Sequence, residues 1–218
     1  MKIIEIEKDY INYLRNFDKF VLKAEGKDYK KERKYLGVIF SCNSFDYFIP
    51  FSSPDKKDDY DKDGKIRKSS MVVVRMIEKK KEENKLLGTL RLNSMIPICN
   101  KDVIKKYDIL QEKDIFYKNL LFKEFNFIKE NEETIRTKAE KLYTLKVSDS
   151  KLPMLNFVCN FKLLEEKSLE YTTIKEKNKE QKKVNEEKKT KIIEKVKPEK
   201  EKPKRQTRSR AKSKENER

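Results

Sequence analysis

Leu36-Gly37-Val38-Ile39-Phe40-Ser41-Cys42-Asn43-Ser44-Phe45-Asp46-Tyr47-Phe48-Ile49-Pro50-Phe51 is the stretch on which the fold turns. Two runs rich in apolar and aromatic residues, 36–42 and 45–51, flank Asn43-Ser44. Strand-forming runs on either side of two turn residues predict a β-hairpin. Upstream, Lys2–Glu7 reads as a first strand. Asp9 is placed to cap a helix over Tyr10–Phe20, with Tyr10, Tyr13, Leu14 and Phe17 on one face. Downstream comes a polar loop, Ser52–Lys68, that holds five aspartates and Gly64. Ser70–Glu78, with Met71-Val72-Val73-Val74, reads as a strand, and Leu86–Ile98 as one or two more. Asn100–Tyr107 reads as a short helix. Phe116–Val147 carries the longest helical pattern: Leu120, Leu121, Phe125, Ile128, Ile135, Ala139, Leu142 and Leu145 recur at helical spacing, with a break near Asn131. Asn156–Leu164, after Pro153, reads as a last strand. Strands, then a long helical stretch, then one returning strand predict an α+β fold on an antiparallel sheet rather than alternating βαβ units.

The composition shifts near residue 171. Thr172–Arg218 holds 19 Lys and Arg against 9 Asp and Glu, a net of +10 out of +17 for the 218 residues. This segment has no aromatic residue and few apolar ones, too little to offset the entropy of ordering it. The expected organisation is therefore a folded domain over 1–171 and a basic, mostly disordered segment over 172–218, with transient helix around 173–196 that ends by Pro198. A surplus of +17 calls for a polyanion or an anionic surface as partner. There is no run of about 18 apolar residues and no apolar leader, so a cytoplasmic location without membrane contact is expected.

The chain has no histidine. This excludes Ser-His-Asp triads, Cys-His proteases and paired-histidine ribonuclease chemistry, and leaves Lys, Arg, Tyr, Ser, Cys and carboxylates as catalytic groups. Cys42, Cys99 and Cys159 are far apart and form no CxxC pair, so reduced thiols are expected and no zinc site. Asp59-Tyr60-Asp61-Lys62-Asp63-Gly64 resembles the start of a calcium loop, but the twelfth position is Ser70 rather than Glu, so no metal is expected. The four glycines make no phosphate loop.

Three clusters stand out as able to carry chemistry. In Tyr47-Phe48-Ile49-Pro50-Phe51-Ser52-Ser53-Pro54-Asp55-Lys56-Lys57 an apolar strand ends in two hydroxyls followed by lysines, a group able to hold a phosphate. In Tyr29-Lys30-Lys31-Glu32-Arg33-Lys34 a tyrosine can stack on a base while its neighbours hold phosphates. Lys65-Ile66-Arg67-Lys68-Ser69-Ser70 leads into a strand with two further hydroxyls. Each pattern alone also fits a solvated loop.

Taken together, several segments resemble the ToxN/AbiQ endoribonucleases of type III toxin–antitoxin systems. The matching stretches are Tyr10-Ile11-Asn12-Tyr13-Leu14, Tyr35-Leu36-Gly37-Val38, Tyr47 to Pro54, Leu87-Gly88 with Asn93-Ser94-Met95-Ile96-Pro97-Ile98, Tyr117-Lys118 through Phe127-Ile128, and Cys159 to Lys167. They come in the family's order and cover roughly residues 3–167. The resemblance implies a compact, highly bent antiparallel sheet with packed helices, related to the MazF/Kid toxin fold. It implies metal-independent RNA cleavage without a cofactor, leaving 2′,3′-cyclic phosphate and 5′-hydroxyl ends. It also implies inhibition by a repeated pseudoknot RNA that the toxin cuts from its own precursor, assembly with that RNA into a closed ring, and growth arrest that blocks phage spread.

Carried over residue by residue, the resemblance makes Ser53 the key serine, with Ser52 where a Thr or Ser precedes it, and gives Tyr29 the family tyrosine's place. The family's nearby lysine falls at Arg33 or Lys34, and the spacing leaves both open. Where relatives often place Lys directly after Ser-Pro, this chain has Asp55, with Lys56 and Lys57 next. The expected catalytic set is Ser52, Ser53, Tyr29, Arg33, Lys34 and Lys56. The expected RNA contacts are Tyr10, Lys30, Lys31, Lys57, Arg67, Lys68, Ser69, Tyr117 and Lys118. The readings set against this one are a non-catalytic nucleic-acid-binding protein with the same basic surface and, from the basic segment alone, a ribosome-associated or phage structural protein.

Overall fold

A computed structural model describes residues 1–25, 31–148 and 150–196, with side chains as far as residue 181. Its strands are β1 Lys2–Ile6, β2 Tyr35–Gly37, β3 Ser41–Cys42, β4 Phe45–Ser52, β5 Val73–Glu78, β6 Lys85–Arg91, β7 Ile96–Ile98 and β8 Ile104–Lys106. Its helices are α1 Lys8–Arg15, α2 Lys56–Asp59, α3 Ile115–Glu130, α4 Glu132–Val147 and α5 Phe161–Val196. Residues 1–176 form one compact unit and 177–218 another.

The expected hairpin is the centre of the sheet. Asn43 and Ser44 adopt left-handed φ values of 49° and 69°, the twist that closes a two-residue hairpin between β3 and β4. β4 is the strand all others are arranged on. Its first half pairs with β3 and with β7, where Tyr47 faces Pro97 and Phe48 faces Ile96. Its second half pairs with β2, Leu36 against Ile49, and with β6, Ser52 against Thr89. The path β5-β6-β4-β2-β1-β8 completes an antiparallel eight-stranded sheet. Gly37 is required at its crossing, because a Cβ there would meet the ring of Phe48.

Helices α3, α4 and α5 cover the sheet, with Leu121, Ile128, Ile135, Ala139, Leu142 and Phe161 buried in the core. Asn131 separates α3 from α4, at the break the periodicity marks. The seam between β4 and the helices is aromatic and polar together. Tyr47 and Tyr143 pack 5.3 Å apart, edge to face, and both donate to Glu165 Oε1, at 2.7 and 2.9 Å. Burial, then the bond to Glu165, raises the Tyr47 pKa far above the ordinary tyrosine value.

Several local expectations are corrected. Asn156–Leu164 is not a strand: residues Pro153–Phe157 form a 3₁₀ turn and α5 begins at Phe161. Asn160 starts that helix by accepting from the Leu163 amide at 3.2 Å. Asn100–Tyr107 is not a helix; after a single 3₁₀ turn at Lys101–Val103 the chain becomes β8 and pairs with β1. The first helix is shorter than Tyr10–Phe20, and Asp9 lies inside it rather than capping it. The loop after Ser52 contains α2, and one of its aspartates, Asp59, is fully buried rather than solvated. Apart from these corrections, α5 runs on through residues 172–196 of the basic segment, the stretch where transient helix was expected, and residues 197–218 lie outside the described residues.

Tyr10 is a further correction. It was expected to touch RNA, yet it is 1% exposed, its hydroxyl donating to the Pro97 carbonyl at 2.6 Å and hydrogen-bonded to Ser168 Oγ at 2.8 Å. Its ring and hydroxyl join α1, β7 and α5 and cannot reach a ligand. Tyr10→Phe is therefore expected to leave RNA affinity unchanged and to lower stability by about 1–3 kcal/mol, the cost of orphaning buried partners, in a urea melt.

Candidate active site

A cavity of about 360 Å³ opens where β4 ends. One wall is Phe51, Ser52, Ser53 and Pro54; a second is Leu87 on β6 and Tyr117, Leu120, Leu121 and Glu124 on α3; Lys31, Glu32, Arg33, Lys34 and Asp114 complete it. The two serines stand here because β4 pairs through Ser52 with Thr89 and is then turned away by Pro54. Ser52 is half-buried and Ser53 is exposed. No described hydrogen bond engages the Ser53 hydroxyl, so it is available to a ligand.

Arg33 is the lining cation bonded to the strand that carries the serines. Its guanidinium donates to the carbonyls of Phe51 at 2.6 Å, Lys23 at 2.8 Å and Glu25 at 3.1 Å. All of its described hydrogen bonds thus go to main-chain oxygens, and among the described residues no carboxylate pairs with it. Burial first, then the charges of Arg91 and Arg15, press its pKa downward, but a guanidinium stays charged in a protein. The site therefore holds a guanidinium bonded to the residue that precedes Ser52.

Lys34, the other possibility left open by spacing, differs. It is 4% exposed and ion-paired to Glu5, with its ammonium 4.0 Å from the Tyr107 ring centre. Its charge is spent inside the protein. Lys31 sits 3.8 Å over the Tyr117 ring centre and 2.9 Å from the Asp114 carboxylate. Lys31 is the leading cause that holds the Asp114 pKa below the usual carboxylate range. Asp114 also caps α3 by accepting from the Tyr117 amide at 3.1 Å, which fixes the Tyr117 ring against the cavity.

The cavity thus gathers Ser52, Ser53, Arg33, Lys34, Lys31 and Tyr117 from the expected set. Tyr29 and Lys30 lie outside the described residues. Lys56 and Lys57 are not among the lining residues. Asp55 accepts from the amides of Lys57 and Asp58, so the residue that departs from the family pattern is the cap of α2, and both lysines stand exposed on that helix. Arg67, Lys68 and Ser69 also lie outside the cavity. Arg67 donates to the Tyr60 carbonyl, the Lys68 carbonyl accepts from Arg75, and Ser69 Oγ accepts from the Arg75 amide. Lys118 donates to the Leu110 carbonyl at 2.7 Å and does not line the cavity.

Two charged lining residues, Asp114 and Glu124, escaped the sequence reading. Glu124 is 5% exposed, and burial alone pushes its pKa up to about 8. The signal for it was present: Glu124 occupies the apolar stripe of α3 between Leu121 and Ile128, where a carboxylate is costly and uncommon.

An α+β protein with hydroxyls and a guanidinium converging at a strand end is built to receive an anion. The family "Toxin ToxN, type III toxin-antitoxin system" matches residues 2–170, and the chain belongs to it. It is 34% identical to the endoribonuclease ToxN of Bacillus thuringiensis subsp. kurstaki, over 78% of this chain and 84% of that protein. It is 30% identical to the endoribonuclease ToxN of Pectobacterium atrosepticum, over 77% and 91%. It is 31% identical to the endoribonuclease AbiQ of Lactococcus lactis subsp. lactis, over 79% and 90%. A solved toxin from work on selective inhibition by a non-coding RNA pseudoknot superposes with a TM-score of 0.65 at 34% identity, covering 78% of this chain and 97% of that one. AbiQ, a lactococcal anti-phage endoribonuclease, superposes equally well, with a TM-score of 0.65 at 26% identity over 79% and 98%. Among the described residues no helix is long and apolar enough to cross a membrane.

Proposed function

We propose that this protein is an endoribonuclease toxin that cuts RNA without a metal ion, by attack of the 2′-hydroxyl on the adjacent phosphate. The products are 2′,3′-cyclic phosphate and 5′-hydroxyl ends. Its activity is held in check by a repeated pseudoknot RNA that it processes and with which it closes into a ring, and its release in the cytoplasm stops phage spread by arresting the host. The nuclease domain comprises residues 1–171, and the basic segment 172–218 adds sequence-independent, salt-sensitive affinity for RNA.

The observation that carries this reading is the meeting of the Ser52 and Ser53 hydroxyls in one cavity with the guanidinium of Arg33, which has no carboxylate partner among the described residues. Cyclising cleavage uses the RNA's own nucleophile. The protein has to hold the phosphate in line and stabilise the charge of the crowded phosphorane. Ser53 and Ser52 position the scissile phosphate, and Arg33 faces the growing negative charge. Lys31 and Tyr117 form a cation and ring platform beside them, suited to a flanking phosphate and base. Of the carboxylates that line the cavity, Asp114 is bound by Lys31, and Glu32 is paired with Lys105. Among the described residues no three His, Cys, Asp or Glu side chains form a metal-holding group.

The test is to free the protein of bound RNA, incubate it with RNA in EDTA and identify the fragment ends. Cyclic phosphate and 5′-hydroxyl ends are expected. A folded protein that binds RNA but leaves it whole would establish the non-catalytic binder instead.

A further inference from the structure

Glu124 has the one carboxyl group of the cavity wall that lies on the apolar stripe of α3. It faces Leu87 and Gly88 on β6, Met76 on β5 and, one turn and more back on its own helix, Leu121 and Tyr117. The space a Cβ on Gly88 would fill is taken by Glu124 Oε1, and the same point is in van der Waals range of the Ser52 carbonyl oxygen at 3.3 Å. The absence of a side chain at Gly88 therefore lets the carboxyl reach the strand end that carries the two serines. Its neighbour Lys123 is turned the other way, to Glu78 on β5 at 2.6 Å. Of the other charges that line the cavity, Lys31 pairs with Asp114, Lys34 with Glu5 and Glu32 with Lys105, and Arg33 is held by carbonyls.

We propose that Glu124 is the acid that protonates the 5′-oxygen as the phosphorus–oxygen bond breaks. The assignment rests on the cleavage proposed above. The 2′-oxygen forms its bond to phosphorus and its proton leaves to solvent water. The P–O5′ bond breaks with its electron pair on O5′, which takes the proton of the Glu124 carboxyl. The carboxylate is then reprotonated from water, so the reaction is neutral in protons overall. With its pKa at about 8, Glu124 is mostly protonated at neutral pH and able to donate. The sign follows: the donor is present below about 8 and is lost as pH rises through that value.

A short RNA carrying the mapped cleavage sequence, made with either oxygen or sulfur at the bridging 5′ position, tests this. A thiolate leaves without a proton. Glu124→Gln keeps the size and neutrality of the acid and removes its proton. It is expected to slow cleavage of the oxygen substrate by about 10²-fold or more, to lose the fall in rate above pH 8, and to cleave the sulfur substrate at close to the unaltered protein's rate. Equal losses on both substrates would overturn the proposal, as would no loss on either. Should Glu124→Gln melt early, the unaltered protein decides: a rate that falls above pH 8 for oxygen but not for sulfur supports the acid, and parallel profiles overturn it. If the unaltered protein cuts neither RNA, the cleavage reading itself fails.

Discussion

Ser53→Ala is expected to reduce single-turnover RNA cleavage by about 10²- to 10³-fold, the loss typical of removing one preorganised donor from a developing oxyanion. The melting temperature and the RNA dissociation constant should stay nearly unchanged. Ser53 is exposed and its hydroxyl supports no described bond within the protein, so alanine removes nothing the fold uses. The backbone that places it is fixed by neighbours, namely the Ser52–Thr89 pairing and the Arg33 bond to the Phe51 carbonyl. A variant that cuts RNA at the original rate would remove Ser53 from the mechanism. One that loses binding in step with cleavage would make it a ground-state contact.

Asp59→Ala is expected to cost about 3 kcal/mol or more, because it leaves a buried cation without its counter-charge. At roughly 2–4 °C per kcal/mol for a chain of this size, that is a fall in melting temperature of about 10 °C. Asp59 is fully buried beneath the loop that follows the site. Its carboxylate lies 3.0 Å from the Arg75 guanidinium and 3.6 Å from Arg91, and accepts the Asp55 amide at 2.9 Å. Arg75 in turn donates to the carbonyls of Asp58 and Lys68. The Asp59–Arg75 contact is too oblique to count as a hydrogen bond, so its contribution is Coulombic. Thermal unfolding measures the effect. A shift of only a degree or two would mean that Arg75 finds compensation from the loop carbonyls alone.

The sheet was legible because its residues obey period and turn chemistry together. Asn43-Ser44 closes the hairpin as read, the β-branched run 72–74 lies in or beside β5, and the pause at Asn131 divides two helices. The misses share a cause. Asn156–Leu164 is short and apolar enough to pass for a strand, but Phe161, Leu164, Glu165 and Ser168 are buried at helical spacing, and Asn160 is a helix cap. Reading the run four residues further would have exposed that period. β8, three residues long, is a strand because β1 offers an edge to pair with, information no local window holds.

At the site, the strand-end serines could be singled out because two hydroxyls stand out at the end of an apolar run, while Arg33 and Lys34, side by side in a charged run, could not be told apart. Tyr10 was misassigned for the opposite reason. Its place on the apolar face of α1 already said that it was buried, and the reading of it as an RNA contact ran against its own periodicity. What distinguishes Lys34 from Arg33 is its pairing with Glu5, 29 residues away in sequence and adjacent only in the sheet.

Arg33 also joins two jobs that most sites divide. The same side chain that supplies the positive charge clasps Lys23, Glu25 and Phe51 by their backbones, while its own amide donates to the Ala24 carbonyl at 2.7 Å and Glu32 pairs with Glu25 across an antiparallel bridge. Both flanks of the 26–30 segment are thereby buckled to the strand end that bears the serines. The guanidinium reaches these three carbonyls from three separate nitrogens, whereas the three donors of an ammonium share a single nitrogen. Exchange of arginine for lysine at this position would keep the charge and undo the buckle, so here the architecture can be lost while the charge is conserved.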